Sequence, residues 1–578
     1  GRRVCEADYE ERGVMQPITE EVWDNYWGGK KRNKAADKDG TTANMFIALM
    51  CEVPNQETGR KEVLTHRQFD VFRMLLDLVV ETGAVYRSRA PEVLLTVPKV
   101  VGSEAMADVR PLGLLIILRN AFFGIQFKGV KRTQHELGVL AQNQYGGLKG
   151  LGTEGCRLVQ NCAYEMAWME HRSAGGGNED KEHAFDTPPF SMYQCTAMRL
   201  ALPMRLLKVM EQMMIVAEVH VRNGWGYAAP FVKMGEGGPR CGAVQGSEDG
   251  PDQYDMLTDV FNSHWEAKPM GVKVAVSEQL EMAISGVAYL DDCKPIAGED
   301  HGRTVSAELT TWYQESGAVG KLVGAIAKPA KCVAHVAQRG DGGKLSTNSD
   351  IEKVLMPVGD DMVEITMVEG DVAVKTLGEL NSPGLCWATQ LGEVTAAAWD
   401  MARALRTDMP AQIAINVWET VFIPIVVYRL LFATCTEAEI ERAVRPAFKA
   451  FKAKVRCGMS APTKLLQAFG IGELWHRLKV DRLLVLLRCL NSHREMLRNA
   501  ARAMLHMESL WESTQSPILS VPHCTERGWS GLFVGDLRAW MKTVQVEVRG
   551  GDCLQMRRVG DKAIGDMADN GGTRALLC

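Results

Sequence analysis

Apolar residues recur along the chain at spacings that predict both helices and strands. Helical spacing appears over residues 69–81, FDVFRMLLDLVVE, and again over residues 155–170. A short apolar run at residues 93–99 predicts a strand, and residues 283–297, AISGVAYLDDCKPIA, predict two short strands that meet at an acidic turn. From about residue 390 helical patterns dominate, so we expect an α+β protein whose last part is helical.

Between these elements the pattern is less regular. Residues 173–180, SAGGGNED, are predicted to be a flexible break, and residues 203–219 to be one long apolar helix. Residues 300–320 are predicted to be helical, residues 340–385 to be strands and turns, and residues 474–510 to be a long helical stretch.

Composition changes this picture in two respects. The 66 basic and 71 acidic residues give a net charge of −5, which argues against nucleic-acid binding unless the basic residues are concentrated on one face.

The 15 cysteines include no CxxC pair, which excludes a zinc knuckle or ribbon. We interpret them as reduced, mostly buried thiols of an intracellular protein, in the cytoplasm and/or the nucleus. No run reaches the roughly 18 apolar residues that span a bilayer, so no membrane partner is predicted.

Three acidic or glycine-rich segments are candidates for chemistry. Tyr289-Leu290-Asp291-Asp292 places two adjacent carboxylates on a turn, which is either solvated or neutralised by a divalent cation. Residues 180–186, DKEHAFD, begin with an acid that is a candidate for chemistry and that could equally cap a following helix. Residues 241–251, CGAVQGSEDGP, carry glycines that let backbone approach a ligand closely, or they form an ordinary loop.

The order of these segments resembles motifs A, B and C of reverse transcriptases of the non-LTR retrotransposon type. Residues 180–186 resemble the pattern D-x-x-K-A-F-D, with His183 in place of the lysine. Residues 245–251 are similar to Q-G-D-P-x-S-P, although residues 247–250 depart from it, and Tyr289 to Asp292 match YxDD.

Weaker similarities continue the same order over about residues 70 to 510. LLTVPK and DVRPLGLL resemble the finger motifs, and QYG at residues 144–146 resembles the segment that follows them, although Gly147 and Leu148 replace its usual Phe-Arg. SGAVGKLVGAIAKPAKC resembles motif D, KTLG resembles the primer grip, and APTKLLQAFGIGELWHRLKVDRL resembles a thumb.

The resemblance implies a right-hand polymerase fold with fingers, a ferredoxin-like palm carrying an antiparallel sheet, and a helical thumb. It assigns fingers to residues 76–170, the palm to 171–385, and the thumb or connection to 386–515. Residues 1–75 remain an unassigned N-terminal extension, and residues 516–578 an unassigned C-terminal segment.

The resemblance also implies RNA-directed DNA synthesis, with an RNA template, a DNA primer and dNTPs as partners. Two Mg²⁺ ions (or Mn²⁺) would be held by Asp180 and Asp291, with Asp292 as the accessory ligand. Lys331 would donate a proton to the leaving pyrophosphate. Phe185 would clash with a ribose 2′-OH, and the other nucleotide contacts would be Lys99, Arg110, Gln245 and Gly246.

A basic helix in the predicted thumb answers the objection raised by the net charge. Its residues Arg445, Lys449, Lys452 and Lys454 are predicted to contact the primer–template duplex, or else they form a solvated helix face. Two other functions stay open. A decayed or domesticated copy would only bind nucleic acid, and an RNA-dependent RNA polymerase would share the palm.

Overall fold

The structure is a computed structural model that describes most of the chain. The described residues are 4–30, 43–48, 50–54, 61–65, 67–85, 92–98, 109–115, 117–147, 152–181, 184–185, 187–215, 218–223, 226–227, 231–232, 247–338, 351–358, 361–377, 379–405, 409–433, 435, 437–458, 474–514, 546–549 and 553–556.

The chain forms two compact units whose segments interleave along the sequence. The first unit comprises residues 1–148, 181–263 and 318–327, and the second comprises residues 149–180, 264–317 and 328–578. The boundaries of fingers, palm and thumb stay predictions, because this division is into two units only.

The first unit is mainly helical and carries one five-stranded sheet in the order β4-β3-β6-β7, with β8 paired to β6. Its elements are α1 (Glu6–Glu10), α2 (Glu20–Gly28), α3 (Ala43–Ile47), β1 (Met50–Pro54), β2 (Lys61–Thr65), α4 (Arg67–Thr82), β3 (Glu92–Pro98), β4 (Val109–Leu115), α5 (Ile117–Glu136), α7 (Phe190–Arg199), α8 (Met204–Ile215), β6 (Glu218–Asn223), β7 (Gly226–Tyr227), β8 (Phe231–Val232) and most of α9 (Gly250–Glu266).

The second unit contains the other five-stranded sheet, in the order β11-β12-β5-β13-β16, followed by a helical region. Its elements are α6 (Thr153–Met169), β5 (Ala174–Asn178), β9 (Val272–Ser277), β10 (Leu280–Ile284), β11 (Gly286–Tyr289), β12 (Asp292–Gly298), most of α10 (Val305–Val323), β13 (Val333–Ala337), β14 (Leu355–Val358), β15 (Asp361–Glu364), β16 (Thr366–Glu369), β17 (Val374–Thr376), β18 (Glu379–Asn381), α11 (Ala388–Leu405), α12 (Ala411–Val417), α13 (Ile423–Leu430), α14 (Glu437–Lys454), α15 (Leu474–Leu490), α16 (Glu495–Thr514), β19 (Val546–Arg549) and β20 (Cys553–Met556).

The predicted flexible break at residues 173–180 is wrong, because this segment forms β5, the central strand of the second unit's sheet. Its glycines leave room for close neighbours. A Cβ at Gly175 would meet Val305 of α10, one at Gly177 would meet Tyr313 of α10, and one at Gly176 would meet the hydroxyl of Tyr164 in α6. Gly is a poor strand former, so these contacts rather than local propensity make the strand.

The sheet of the second unit is not fully antiparallel, as was expected for a palm, because β13 and β16 pair in parallel. Two predicted helical stretches also differ from the structure. The helix expected at 203–219 ends at Ile215, and strand β6 follows it. The stretch expected at 474–510 is two helices, α15 and α16. The hairpin at 283–297 and the helices at 69–81, 155–170 and 300–320 are confirmed. The described elements between residues 388 and 514 are helical as predicted, whereas β19 and β20 follow them.

One helical stretch in the described part of the chain, Ala411–Leu430, passes a test of length and apolarity for crossing a membrane. It comprises α12, a π-helical turn and α13, and one of its sides is buried. Trp418 on that side stacks on Phe451 of α14, with ring centroids 4.4 Å apart. The buried side therefore packs within the second unit.

Candidate acidic site

The pairing of β5 with β12 brings two of the predicted aspartates together. Ile296 pairs with Gly176, and the same antiparallel register continues to the bridge between Cys293 and Glu179. Carried on by one residue, this register sets Asp180 opposite Asp292. Asp180 directly follows the bridge residue Glu179 and Asp292 directly precedes Cys293, so both acids lie at the same end of the paired strands.

Asp291 lies at the tip of the hairpin formed by β11 and β12. Tyr289 pairs with Asp292, which leaves Leu290 and Asp291 as the two turn residues. Leu290 has φ 58°, in the left-handed region that a two-residue hairpin turn requires and that glycine adopts most easily. A branched side chain there costs on the order of 1 kcal/mol of backbone strain. The hairpin therefore ends in a two-residue turn in which Asp291 lies directly before Asp292.

The three carboxylates concentrate negative charge at the end of the sheet. Burial raises the pKa of the Asp291 carboxyl, and repulsion from Asp292 and from Asp180 raises it further. A backbone hydrogen bond and the ammonium of Lys294 act in the opposite direction. Asp180, which the sequence places far from the hairpin, therefore lies within electrostatic reach of Asp291.

Two lysine ammonium groups compensate this charge. Lys331, in a 3₁₀ turn at Pro329–Lys331, places its Nζ 3.1 Å from Oδ2 of Asp180. Lys294 of β12 places its Nζ 3.5 Å from Oδ1 of Asp292 and also donates a hydrogen bond to Oδ1 of Asn178. The structure thus brings the predicted Lys331 to the predicted acids, and it adds Lys294.

A buried carboxylate fastens the end of β5 to α10. Both carboxylate oxygens of Glu179 accept from the hydroxyl of Ser316 at 2.7 Å, and Glu179 is fully buried. The amide of Lys328 donates to the backbone oxygen of Asp180 at 2.8 Å. These bonds hold the main chain on both sides of the Asp180 side chain.

The donor set suits a hard divalent cation, since all three side chains offer carboxylate oxygens. Among the residues that the structure describes, no three His, Cys, Asp or Glu side chains are close enough together to hold one metal ion. The carboxylates of Asp180 and Asp292 instead lie against lysine ammonium groups. The three side chains fit Mg²⁺ in the chemistry of their oxygens, and the ammonium of Lys331 competes with a cation for Oδ2 of Asp180.

The chain is similar to solved structures of telomerase, two of which are described below. The chain matches no protein-family model and no curated protein. It is similar to apo telomerase from Candida tropicalis truncated from its C-terminal domain, at 12% identity and TM-score 0.28, over 52% of this chain and 62% of that chain. It is also similar to telomerase from Candida albicans in complex with a fragment of telomeric RNA, at 9% identity and TM-score 0.32, over 87% of this chain and 78% of that chain.

The chain spans less than two thirds of the length of the Candida tropicalis telomerase. Both TM-scores are too low to define a fold. The description of the second unit as a mixed sheet followed by helices therefore rests on its own strand order and register.

The predicted nucleotide contacts fall partly outside the described residues. Lys99, Gln245 and Gly246 lie outside them. Arg110 lies in β4 of the first unit, where it pairs with Val97. Phe185, also in the first unit, is half-buried, and its ring lies against that of Tyr254 in α9 with centroids 4.7 Å apart.

The predicted basic helix is α14, which continues through Pro446 without ending there. Arg445 and Lys449 are exposed on it, one turn apart. Lys452 is buried and Lys454 is half-buried, and both have partners within the protein. The exposed basic face is therefore narrower than the sequence predicted.

Reasoning from the sequence missed Lys294, Asn178 and the Glu179–Ser316 contact. Residues two apart on a strand share a face, so Asn178 accompanies Asp180 and Lys294 accompanies Asp292. Reading residues 173–180 as a strand would have placed Asn178 and Lys294 beside the acids.

Proposed function

We propose that this protein is an RNA-directed DNA polymerase of a retrotransposon-like element, which adds deoxynucleotides to a primer 3′ end. The observation that carries the proposal is the register that sets Asp180 opposite Asp292, with Asp291 at the adjoining hairpin tip. Acids from two segments that are far apart in sequence meet at the end of one sheet. The motif resemblance requires this convergence.

In this proposal the aspartates position the reacting groups. Asp180 and Asp291 hold two divalent cations, Mg²⁺ or Mn²⁺, and Asp292 is the accessory ligand. When bound, the two cations neutralise the charge that develops on the entering and leaving oxygens of the phosphoryl transfer. The two-residue turn at the hairpin tip places Asp291 next to Asp292.

Lys331 serves as the proton donor to the leaving pyrophosphate. Its side chain is 58% exposed and sits on a short 3₁₀ turn, so it is free to exchange Asp180 for a phosphate oxygen. A positioned general acid of this kind contributes roughly 10²–10⁴-fold to the rate.

The nucleotide contacts follow from the resemblance. Phe185, supported by Tyr254, forms an aromatic wall that disfavours a ribose 2′-OH. Lys99 and Arg110 bind the triphosphate, and Gln245 and Gly246 contact the nucleotide. RNA template and DNA primer are held in part by the exposed residues of α14, and we place the activity in the cytoplasm and/or the nucleus.

One observation favours the second candidate, a decayed or domesticated protein that only binds nucleic acid. Asp180 forms an ion pair with Lys331. Among the described residues, no three acidic side chains lie close enough together to hold one metal ion. An RNA-dependent RNA polymerase is the third candidate, and the choice of nucleotide separates it from the first.

The test is primer extension on an RNA template with dNTPs, at low salt, in Mg²⁺ and separately in Mn²⁺. Wild type should extend the primer, and Asp291→Asn should abolish extension while the melting temperature stays close to wild type. Asp361→Asn, at an exposed position of β15, is the matched control and should extend normally.

No extension by folded wild type in either metal would contradict the polymerase and support the nucleic-acid-binding candidate. Extension with NTPs in preference to dNTPs would support the RNA polymerase.

A further inference from the structure

Lys294 is a buried lysine at the edge of the acidic site. Its side chain is only 1% exposed, and its Nζ contacts Oδ1 of Asp292 and Oδ1 of Asn178. An ammonium group inside a protein needs such partners, because removing it from water costs several kcal/mol. The motif resemblance assigns no role to this position.

The sheet places Lys294 on the same face as the acids. The register that pairs Ile296 with Gly176 sets Lys294 opposite Asn178, just as it sets Asp292 opposite Asp180. Alternation along a strand puts both cross-strand pairs on one side. Lys294 and Asn178 are thus each two residues from one of the acids, on the same face of the sheet.

The two lysines of the site differ in freedom. Lys331 is 58% exposed and has room to move away from Asp180. The side chain of Lys294 is buried, and its Nζ donates a hydrogen bond to Asn178. We therefore expect its position to be unchanged when a substrate binds. The ammonium of Lys294 thus keeps its position next to Asp292, whereas that of Lys331 can move away from Asp180.

We infer that Lys294 is a positioning residue that acts as the fixed internal counter-ion of the acidic site. Its ammonium attracts Oδ1 of Asp292, 3.5 Å away, and so limits the orientations of that carboxylate. It also reduces the net negative charge that a divalent cation meets there. The inference rests on the proposed function, since it assumes that the three aspartates bind divalent cations.

This role predicts opposite effects on cation binding and on turnover. Lys294→Met removes the charge and leaves Asp292 without its support. The variant should bind Mn²⁺ about tenfold more tightly, because a positive charge within a few ångströms of a divalent ion is worth about 1.4 kcal/mol even in a polar medium. Its rate of primer extension at saturating Mn²⁺ should nevertheless fall, because Asp292 is no longer oriented.

The binding test is an electron paramagnetic resonance titration of free Mn²⁺ with purified full-length protein, without nucleotide or nucleic acid. Lys294→Gln is measured beside Lys294→Met, since glutamine still donates a hydrogen bond to Asn178 but carries no charge. Lys353→Met is the matched control, because Lys353 is an exposed lysine paired with Glu364 in the same unit and should leave Mn²⁺ binding unchanged.

A further variant keeps the test decisive if both substitutions at residue 294 prevent folding. Asn178→Asp places a negative charge against the Lys294 ammonium and cancels its effect at the site. It should also tighten Mn²⁺ binding about tenfold.

Two failures are distinguishable. If Asp291→Asn weakens Mn²⁺ binding but folded variants at Lys294 and Asn178 bind as wild type does, the cation site stands and the role of Lys294 is wrong. If neither wild type nor any variant binds Mn²⁺ in the millimolar range, the proposed function and this inference both fail.

Discussion

The guanidinium of Arg157 in α6 forms an ion pair with the carboxylate of Glu379 in β18, and both side chains are almost fully buried. The same guanidinium donates to the backbone oxygen of Tyr428 at 3.1 Å and lies 4.8 Å from the centre of the Tyr428 ring and 4.9 Å from that of Phe432. Arg157 thereby joins the helix that covers the sheet to β18 and to the helical region of the second unit.

Replacing Arg157 should therefore be costly and pH-dependent. Arg157→Met leaves Glu379 buried without its ion-pair partner, which typically costs about 3–5 kcal/mol of folding free energy. Burial raises the pKa of Glu379 and Arg157 opposes that rise, so the variant's carboxyl stays protonated to still higher pH. The loss should be smaller at pH 5 than at pH 8.

A double-mutant cycle measures the interaction between the two side chains. It compares the free energies of unfolding in urea of wild type, Arg157→Met, Glu379→Gln and the double variant. A double variant that loses the sum of the two single losses would show that the two side chains do not interact.

Glu308 in α10 predicts a second pH dependence of stability. Burial raises the pKa of this carboxyl to about 7, and repulsion from Asp300 adds to the rise. Hydrogen bonds from the amides of Gly298 and Gly271 oppose it, as does Arg303. In the unfolded chain the Glu308 carboxyl loses its proton near pH 4.5, whereas in the folded protein it keeps the proton up to about pH 7. The contribution of this carboxyl to the free energy of unfolding is therefore fully present below pH 4.5 and is lost as the pH rises through 7.

Glu308→Gln removes the ionisation and keeps an oxygen that accepts from both amides, each of which now lies 3.1 Å from Oε2. The variant should gain up to about 3 kcal/mol over wild type between pH 4.5 and 8. Chemical denaturation across this pH range measures the difference. Glu441→Gln, at an exposed position of α14, is the control, and an equal slope for wild type and Glu308→Gln would contradict the assignment.

Gly176 and Gly392 should respond to alanine in opposite directions. A Cβ at Gly176 would overlap the hydroxyl of Tyr164 and approach Nε2 of His335 at 2.9 Å, so Gly176→Ala should destabilise the second unit by about 1–3 kcal/mol. A Cβ at Gly392 in α11 meets nothing within 4 Å, so Gly392→Ala should stabilise by roughly 0.5–1 kcal/mol. Thermal melts distinguish these outcomes, and a neutral Gly176→Ala would mean that β5 is not so closely covered.

The exposed residues of α14 predict a salt-dependent contact with nucleic acid. Arg445→Glu and Lys449→Glu should each weaken binding of an RNA–DNA hybrid and lower the slope of log affinity against log salt by about 0.7–0.9 per lost phosphate contact. Fluorescence anisotropy at several salt concentrations gives both quantities. Arg403→Glu, on the exposed side of α11, is the matched control and should change neither. Unchanged slopes for the α14 variants would leave that face as ordinary solvated surface.

Local patterns predicted the elements in which apolar residues recur at a regular spacing. The hairpin of β11 and β12 follows from apolar residues on both sides of an acidic turn, and α6 and α10 follow from helical spacing. Strand β5 could not be predicted in this way, because its three glycines carry no apolar pattern. Their close neighbours, among them Tyr164, Val305 and Tyr313, come from other segments of the chain.

The sequence by itself determined which acids are present and in what order. It also determined the hairpin whose tip carries Asp291 and Asp292. Only the tertiary structure decided that Asp180 lies opposite Asp292, that Lys331 pairs with Asp180, and that Lys294 is enclosed beside Asp292. The reason is physical. A carboxylate pair on a tight turn is specified by neighbouring residues, whereas pairing between distant strands is set by how the whole sheet buries its two faces.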